Sequence, residues 1–253
     1  DHAAVLRRIR HDDRLPDPGP EGRAKARRLA LDTKAAALAI PDAGLSVEER
    51  LTRDILVVVA EIALAEDDLR LDTLLVVDQM GGPQTLLPEL CQFQAADEPD
   101  RLERFIARLH AYPAYMAANR ELLREALASG LTAPRIVAQR TIAQVERMLA
   151  VPIDQAIVAQ MVRCASDADR ERVRAIVRDE VYPADAAFLD ALRGDYLAAT
   201  REDPGIWSAP GGEEIYRTLI RHWTTLDLDP EAVHRIGLEE LEGIDAERRA
   251  IAA

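Results

Sequence analysis

The sequence predicts an all-α fold of long antiparallel helices joined by short connections. Three observations lead there. Apolar residues recur at intervals of three and four along almost the whole of the 253-residue chain, the period of a helix that buries one face. No alternating β-branched run reaches strand length; Leu74–Val77 is the best strand candidate and it is short. Hydrophobic residues make up 48% of the chain but aromatic residues only 4%. The core must therefore rest on Leu, Ala, Val and Ile, which suits helices packed at close interaxial distance.

Residues 1–44 read as an N-terminal helical segment and linker, with Pro16–Pro20 as its loop. Arg23, Lys25, Arg27 and Arg28 fall there on a solvated helix face. A helical domain is expected from residue 45 to 253. Ser46-Val-Glu-Glu49 is a capping box, in which the serine oxygen accepts a backbone N–H and Glu49 reaches back. Leu51, Ile55, Val58, Val59 and Ile62 follow on one face and are expected inward. Leu102, Phe105, Ile106 and Leu109 repeat the stripe, and the register is expected to restart after Pro113. Thr132 reads as an N-cap with Pro134 in the first turn, ahead of Ala138, Ile142, Val145 and Leu149. A helix over about Asp167 to Thr200 contains Pro183, which should kink or divide it. Asp229-Pro230 caps and opens a last helix, with Val233, Ile236, Leu241 and Ile244 expected inward. No repeat of fixed period occurs, which disfavours a tetratricopeptide-type solenoid.

Charge and cysteine usage narrow the function classes. The balance is 32 basic against 45 acidic residues, a net charge of -13. Residues 1–40 hold nine basic and six acidic side chains, leaving 23 against 39 for the remainder. So acidic a surface repels phosphate backbones and disfavours nucleic-acid partners. Cys91 and Cys164 show no metal-type spacing; two buried thiols are expected, with a single disulfide left open for an oxidising compartment. The longest apolar run, Ile55–Ala65, is interrupted by Glu61 and is too short to cross a bilayer. The chain starts at Asp1 without Met and stops in a helical pattern with no Gly, Asn or Pro, so it reads as a piece of a longer protein, cut at its C-terminal end.

Candidate chemistry is sparse. No H-E-x-x-H occurs among the five histidines, so the zinc site with a built-in base is not encoded here. Glu231-Ala-Val-His234 is a lone E-x-x-H, where di-iron bundles need two such motifs and two more glutamates; the helix dipole explains a first-turn glutamate without a metal. Gly81-Gly82-Pro83-Gln84 lacks the glycines and the following Lys-Ser/Thr of a phosphate loop. It reads as a tight turn starting the next helix; the alternative is that Gln84, held on a stiff turn, faces a cleft. Neither a G-x-S-x-G elbow nor a catalytic cysteine signature is present. Arg221-His222-Trp223-Thr224-Thr225 ends a helix that begins at Pro210-Gly211-Gly212-Glu213. Basic residues at a helix C-terminus are favoured electrostatically, and Trp223 fits an ordinary core position. Yet His222, the two threonine hydroxyls and Tyr216 within ten residues also suit a substrate-binding wall.

These segments carry a resemblance. The run P-G-I-W-S-A-P-G-G-E-E-I-Y-R-T-L-I-R-H-W-T-T-L-D-L-D-P-E-A-V-H-R-I-G-L-E-E-L from Pro204 to Leu241 resembles a block of a bacterial family, domain of unknown function 885. So, in the same order, do D-Q-M-G-G-P-Q-T-L-L-P at Asp78–Pro88, R-L-H-A-Y-P-A-Y-M at Arg108–Met116, G-L-T-A-P-R-I-V at Gly130–Val137 and R-D-E-V-Y-P-A at Arg178–Ala184. The similarity covers about Leu45 to Ile251. It implies a large helical protein resembling gluzincin-type zinc peptidases, with a cleft between helical halves. In such enzymes an H-E-x-x-H helix and a downstream glutamate hold the zinc, which lowers the pKa of its bound water and polarises the scissile carbonyl.

That motif is expected beyond residue 253. The chain would then be the N-terminal half, inactive alone, with no catalytic residue, no metal ligand and no cofactor of its own. Its partners would be the C-terminal half, which brings the zinc, and a short peptide substrate. Gln84, Tyr216, His222 and Thr224 are the candidates for the substrate-binding wall. The competing reading is a non-catalytic helical binding or interaction domain. The compartment, bacterial cytoplasm or periplasm, stays open.

Overall fold

The computed structural model describes residues 12–162 and 165–252. His2, His11 and Cys164 lie outside them. The described helices are α1 (Pro20–Leu38), α2 (Val47–Asp68), α3 (Leu71–Leu75), α4 (Leu86–Phe93), α5 (Pro99–Ser129), α6 (Arg135–Leu149), α7 (Ile157–Met161), α8 (Asp167–Ile176), α9 (Tyr182–Ala191), α10 (Gly212–Thr224) and α11 (Pro230–Ala252). The all-α class holds. Among the described residues the only β pairing is an isolated bridge between Pro134 and Arg201. Leu74–Val77 is not a strand: Leu71–Leu75 is a helical turn, and Leu74, Val76 and Val77 are buried. A short apolar run fits either state, and here burial explains it without a sheet. Two compact units interleave along the chain, one from the described part of residues 1–26 with 72–205, the other from 27–71 with 206–253.

The first unit is built on α5. This 31-residue helix, about 46 Å long at the usual rise, buries Leu102, Phe105, Ile106, Leu109, Tyr112, Met116, Leu122 and Leu123 along one face. The register does not restart at Pro113, because buried positions continue at helical spacing on both sides and hold the helix through the missing hydrogen bond. Gly130, at φ 76°, ends it in the left-handed conformation that a glycine adopts without a Cβ penalty. Thr132 is not the N-cap of α6. Pro134 holds that position, and the Thr132 hydroxyl donates to the Ala199 carbonyl at 3.2 Å instead. The start of α6 is tied by Arg135 N–H to the Arg201 carbonyl at 2.8 Å, a long-range bond that local capping signals do not encode.

Pro183 lies in the first turn of α9, where the helix expected over Asp167 to Thr200 is interrupted. The turn before it, Val177–Val181, is a π-helix, with Tyr182 N–H bonded to the Val177 carbonyl. Pro183 lacks an N–H and its ring would press on the carbonyl of Asp179; one extra residue in the turn relieves both problems. After α9 the chain kinks at Gly194, whose ψ of -127° is not helical, within Leu192–Tyr196. Helix α9 packs against α5 and α6, with Phe188 and Leu189 buried. Each such side chain contributes about 1.5–3 kcal/mol of burial.

The second unit is thinner. Its α2 begins with the expected capping box: Ser46 Oγ accepts Glu49 N–H at 3.3 Å, and Glu49 Oε2 accepts Ser46 N–H at 2.8 Å. Helix α10 packs on α2. Arg27 bridges Asp67 at 2.6 Å and Asp68 at 2.8 Å, and Lys34 bridges Glu61 at 3.0 Å, fastening the C-terminal part of α1 to α2. Asp229 caps α11 as expected, accepting Ala232 N–H at 3.1 Å.

The inward stripes of this unit are corrected. Leu51, Ile55 and Val59 on α2 are exposed, and of that stripe only Ile62 is buried. Ile236, Leu241 and Ile244 on α11 are also exposed, and Val233 is half-buried. Trp223, which fitted a core position, is 79% exposed. The spacing is helical as expected, but periodicity does not show what lies against an apolar face. Of the 22 exposed large hydrophobic residues among those described, 17 belong to this unit, the smaller of the two.

Candidate functional site

The last turn of α10 places His222 on a groove of about 450 Å³ in the second unit, lined mainly by the exposed stripe of α2. Leu51, Ile55, Val58, Val59 and Ile62 give it an aliphatic floor, with Asp54 and Glu66 among its lining residues. His222 Nδ1 lies 2.6 Å from Glu66 Oε1. That carboxylate fixes the imidazole orientation and leaves Nε2 as the ring nitrogen without a partner among the described residues. Arg221 bridges Glu61 at 2.8 Å, a second tie between the end of α10 and α2. Thr225, also on the groove, ends α10 at φ 60°. A β-branched residue in the left-handed region is strained, and such outliers cluster at functional sites.

The start of α10 is fixed by backbone crowding. A Cβ on Gly212 would lie 2.0 Å from the Ile206 carbonyl oxygen, so only glycine fits. Gly211 precedes it at φ 67°. This explains the Pro210-Gly211-Gly212 run as local geometry. Tyr216, half-buried one turn on, packs edge-on against Trp207 with ring centroids 4.8 Å apart. The Thr224 hydroxyl donates to the Ile220 carbonyl at 2.7 Å and accepts Leu226 N–H at 3.1 Å. It therefore shapes the helix end. Of the three expected wall residues on α10, His222 alone lines the groove, while Tyr216 and Thr224 are engaged in packing and chain reversal.

Gln84 belongs to the first unit. Its turn runs as expected: Pro83–Thr85 is a 3₁₀ turn leading into α4, and Asp78 Oδ2 accepts Gly81 N–H at 3.0 Å. A Cβ on Gly82 would sit 2.3 Å from the Asp78 carbonyl oxygen, the same oxygen that accepts Gln84 Nε2 at 2.6 Å. Gln84 is wholly buried and lines a cavity of about 280 Å³.

Three residues with a part in these two sites were not singled out from sequence: Glu66, Tyr112 and Asp185. Asp185 lines the same cavity as Gln84 and is 3% exposed. The signal was present, since a carboxylate at position 185 shares a helical face with Phe188, Leu189 and Leu192. Glu66 likewise continues the Val58-Ile62 face of α2 by one turn. Burial pushes the Asp185 carboxyl up to about 6, against a partial opposing effect of the Tyr112 hydrogen bond. The Glu231–His234 motif lies exposed at the start of α11. Among the described residues no three His, Cys, Asp or Glu side chains converge to hold a metal ion. Cys91 is a half-buried free thiol, pushed up to about 12 by burial, which makes it a poor nucleophile. No described helix is long and apolar enough to cross a membrane.

With this geometry in place, the comparisons with known proteins are informative. The family described as "Bacterial protein of unknown function (DUF885)" matches residues 2–253. The chain belongs to this family. No curated protein matches it. Among solved structures, the DUF885 chain is similar to one described as "The crystal structure of the putative lipoprotein from Colwellia psychrerythraea", with a TM-score of 0.80 at 19% identity. The match covers 92% of this chain but 43% of that one. The DUF885 chain thus spans less than half the length of its structural relative, and at this identity the likeness establishes the helical fold.

Proposed function

We propose that this chain is the N-terminal helical part of a zinc-dependent peptidase acting on short peptides, supplying scaffold and one wall of the cleft. The observation that carries the reading is the concentration of uncovered apolar residues on α2 and α11, in a unit with few buried residues of its own. A chain with a net charge of -13 does not leave two aliphatic helix faces in water without cost. A relative more than twice as long, aligned over 92% of this chain, supports a further stretch of polypeptide as the cover. The sequence blocks quoted above supply the peptidase assignment by resemblance.

The described residues do not fit a zinc ion. The ligands and the base that activates water belong elsewhere in the protein, and no catalytic step is assigned to this chain. Its contribution is binding. The aliphatic floor of the α2 groove accepts apolar peptide side chains, and His222 Nε2, oriented through Glu66, offers a hydrogen bond to a peptide carbonyl. Asp54 and Glu66 on the same groove are held by Arg53 and His222, so the groove selects chiefly through its aliphatic floor.

The test is direct. Full-length protein, purified without added metal, should contain one zinc per chain and hydrolyse unstructured peptides of a few residues, and a chelator should abolish both. A full-length sequence without H-E-x-x-H and a downstream glutamate would overturn the reading before any assay.

A further inference from the structure

The cavity lined by Gln84 lies wholly within the first unit, between α4, α5, the π turn Val177–Val181 and the start of α9. Its polar lining side chains are Gln84, Tyr112, Gln155, Tyr182 and Asp185. Gln84 spends both amide hydrogens, donating to the Asp78 carbonyl at 2.6 Å and to Gln144 Oε1 at 3.1 Å. This fixes the amide orientation; Gln84 Oε1 has no donor among the described residues and is sealed from the cavity. Asp185 accepts the Tyr112 hydroxyl on Oδ1 at 2.7 Å, and its Oδ2 has no donor among the described residues. The Tyr182 hydroxyl is spent on the Val151 carbonyl at 2.9 Å. No Lys, Arg or His lines the space among the described residues, and the remaining walls are mainly aliphatic.

A buried acceptor without a donor costs about 1–3 kcal/mol, and an unpaired buried carboxylate more. Gln84 has a structural role in holding the Asp78 turn and Gln144, but structure alone does not require the carboxylate: an asparagine at 185 would fill the same space and still accept from Tyr112. An anionic ligand is excluded by Asp185, and a hydrocarbon would leave its Oδ2 bare. A ligand that carries a positive charge on a small apolar body answers both the carboxylate and the aliphatic walls.

We propose that this cavity binds a small organic amine, its ammonium group paired with Asp185 and its hydrocarbon body set against Leu87, Met148 and Val181. The proposal is independent of the peptidase reading, since every residue it uses belongs to the first unit and none to the α2 groove. The π turn beside it widens the helix where Val177 and Val181 meet the cavity, a placement common at binding sites.

Benzylamine and its uncharged counterpart benzyl alcohol separate the possibilities, with binding to the full-length protein followed by calorimetry and ligand-observed NMR at pH 7.5. The amine should bind at least about tenfold more tightly than the alcohol, the margin of one charge-assisted hydrogen bond. Asp185→Asn should erase that preference. Lowering the pH below about 6 should weaken amine binding in the wild type as Asp185 takes up its proton; the other titratable groups facing Asp185 are the hydroxyls of Tyr112 and Tyr182, which stay protonated there. Equal affinity for amine and alcohol, no binding of either, or unchanged amine binding in Asp185→Asn would each overturn the proposal. The wild-type comparison holds even if the variant fails to fold.

Discussion

The Tyr112 hydroxyl donates to Asp185 Oδ1 across 2.7 Å, joining the middle of α5 to the first turn of α9 inside the core of the first unit. Burial drives both groups toward their neutral forms, raising Asp185 to about 6 and Tyr112 well above its ordinary value.

The Asp185 shift fixes a pH dependence. The folded protein binds this proton more tightly than the unfolded chain, so stability falls as pH rises from about 4 to about 6. Above that window the ionised carboxylate costs at most about 3 kcal/mol. Asp185→Asn should therefore raise the melting temperature at pH 7.5, with the gain shrinking toward pH 4. A loss of stability at both pH values would show that the charge is compensated.

Gly212 and Gly211 should respond differently to alanine. At Gly212 the new Cβ meets backbone at 2.0 Å, while at Gly211 nothing lies within 4 Å and only the φ of 67° is strained. Gly212→Ala is expected to cost about 1–3 kcal/mol or more and Gly211→Ala about 1 kcal/mol. Chemical denaturation of the two variants checks the order.

The exposed stripe of α11 gives a test of what covers it. Substitution of a free surface residue changes stability by about 0.5 kcal/mol or less. Leu241→Glu and Ile244→Glu should each destabilise the full-length protein by clearly more, about 2 kcal/mol, if further polypeptide buries these positions. Neutral substitutions would mean that the faces stay open to solvent.

Sequence reading and structure agree where the signal is local and part where it is long-range. The Ser46–Glu49 box, the Asp229-Pro230 cap and the helical stripes were legible because capping and periodicity act within a few residues. The exposure of Ile236, Leu241 and Ile244 was not, since periodicity shows which face is apolar but not what lies against it. Thr132 was misread because its carbonyl partner, at Ala199, is 67 residues away. Pro183 signalled a disturbance, and the π turn that absorbs it depends on packing against α5. In the candidate sites, Gln84 on its stiff turn and His222 at a helix end were visible, whereas Glu66 and Asp185 looked like ordinary helical carboxylates until the fold brought partners to them.

The His222–Glu66 pair separates binding from structure. His222→Ala in the full-length protein should reduce turnover of short peptides about fivefold to tenfold, the scale of one lost hydrogen bond. The partly exposed pair contributes about 1 kcal/mol or less to stability. A variant that loses stability but keeps its turnover would return His222 to a purely structural role.

The central claim, that this DUF885 chain is the helical N-terminal part of a zinc peptidase, is tested most directly by measuring metal content and peptide hydrolysis together on the full-length protein. The account predicts one zinc per chain and cleavage of short peptides that ceases on chelation and returns with zinc. Protein that is folded, free of zinc and inert toward a library of short peptides would contradict it.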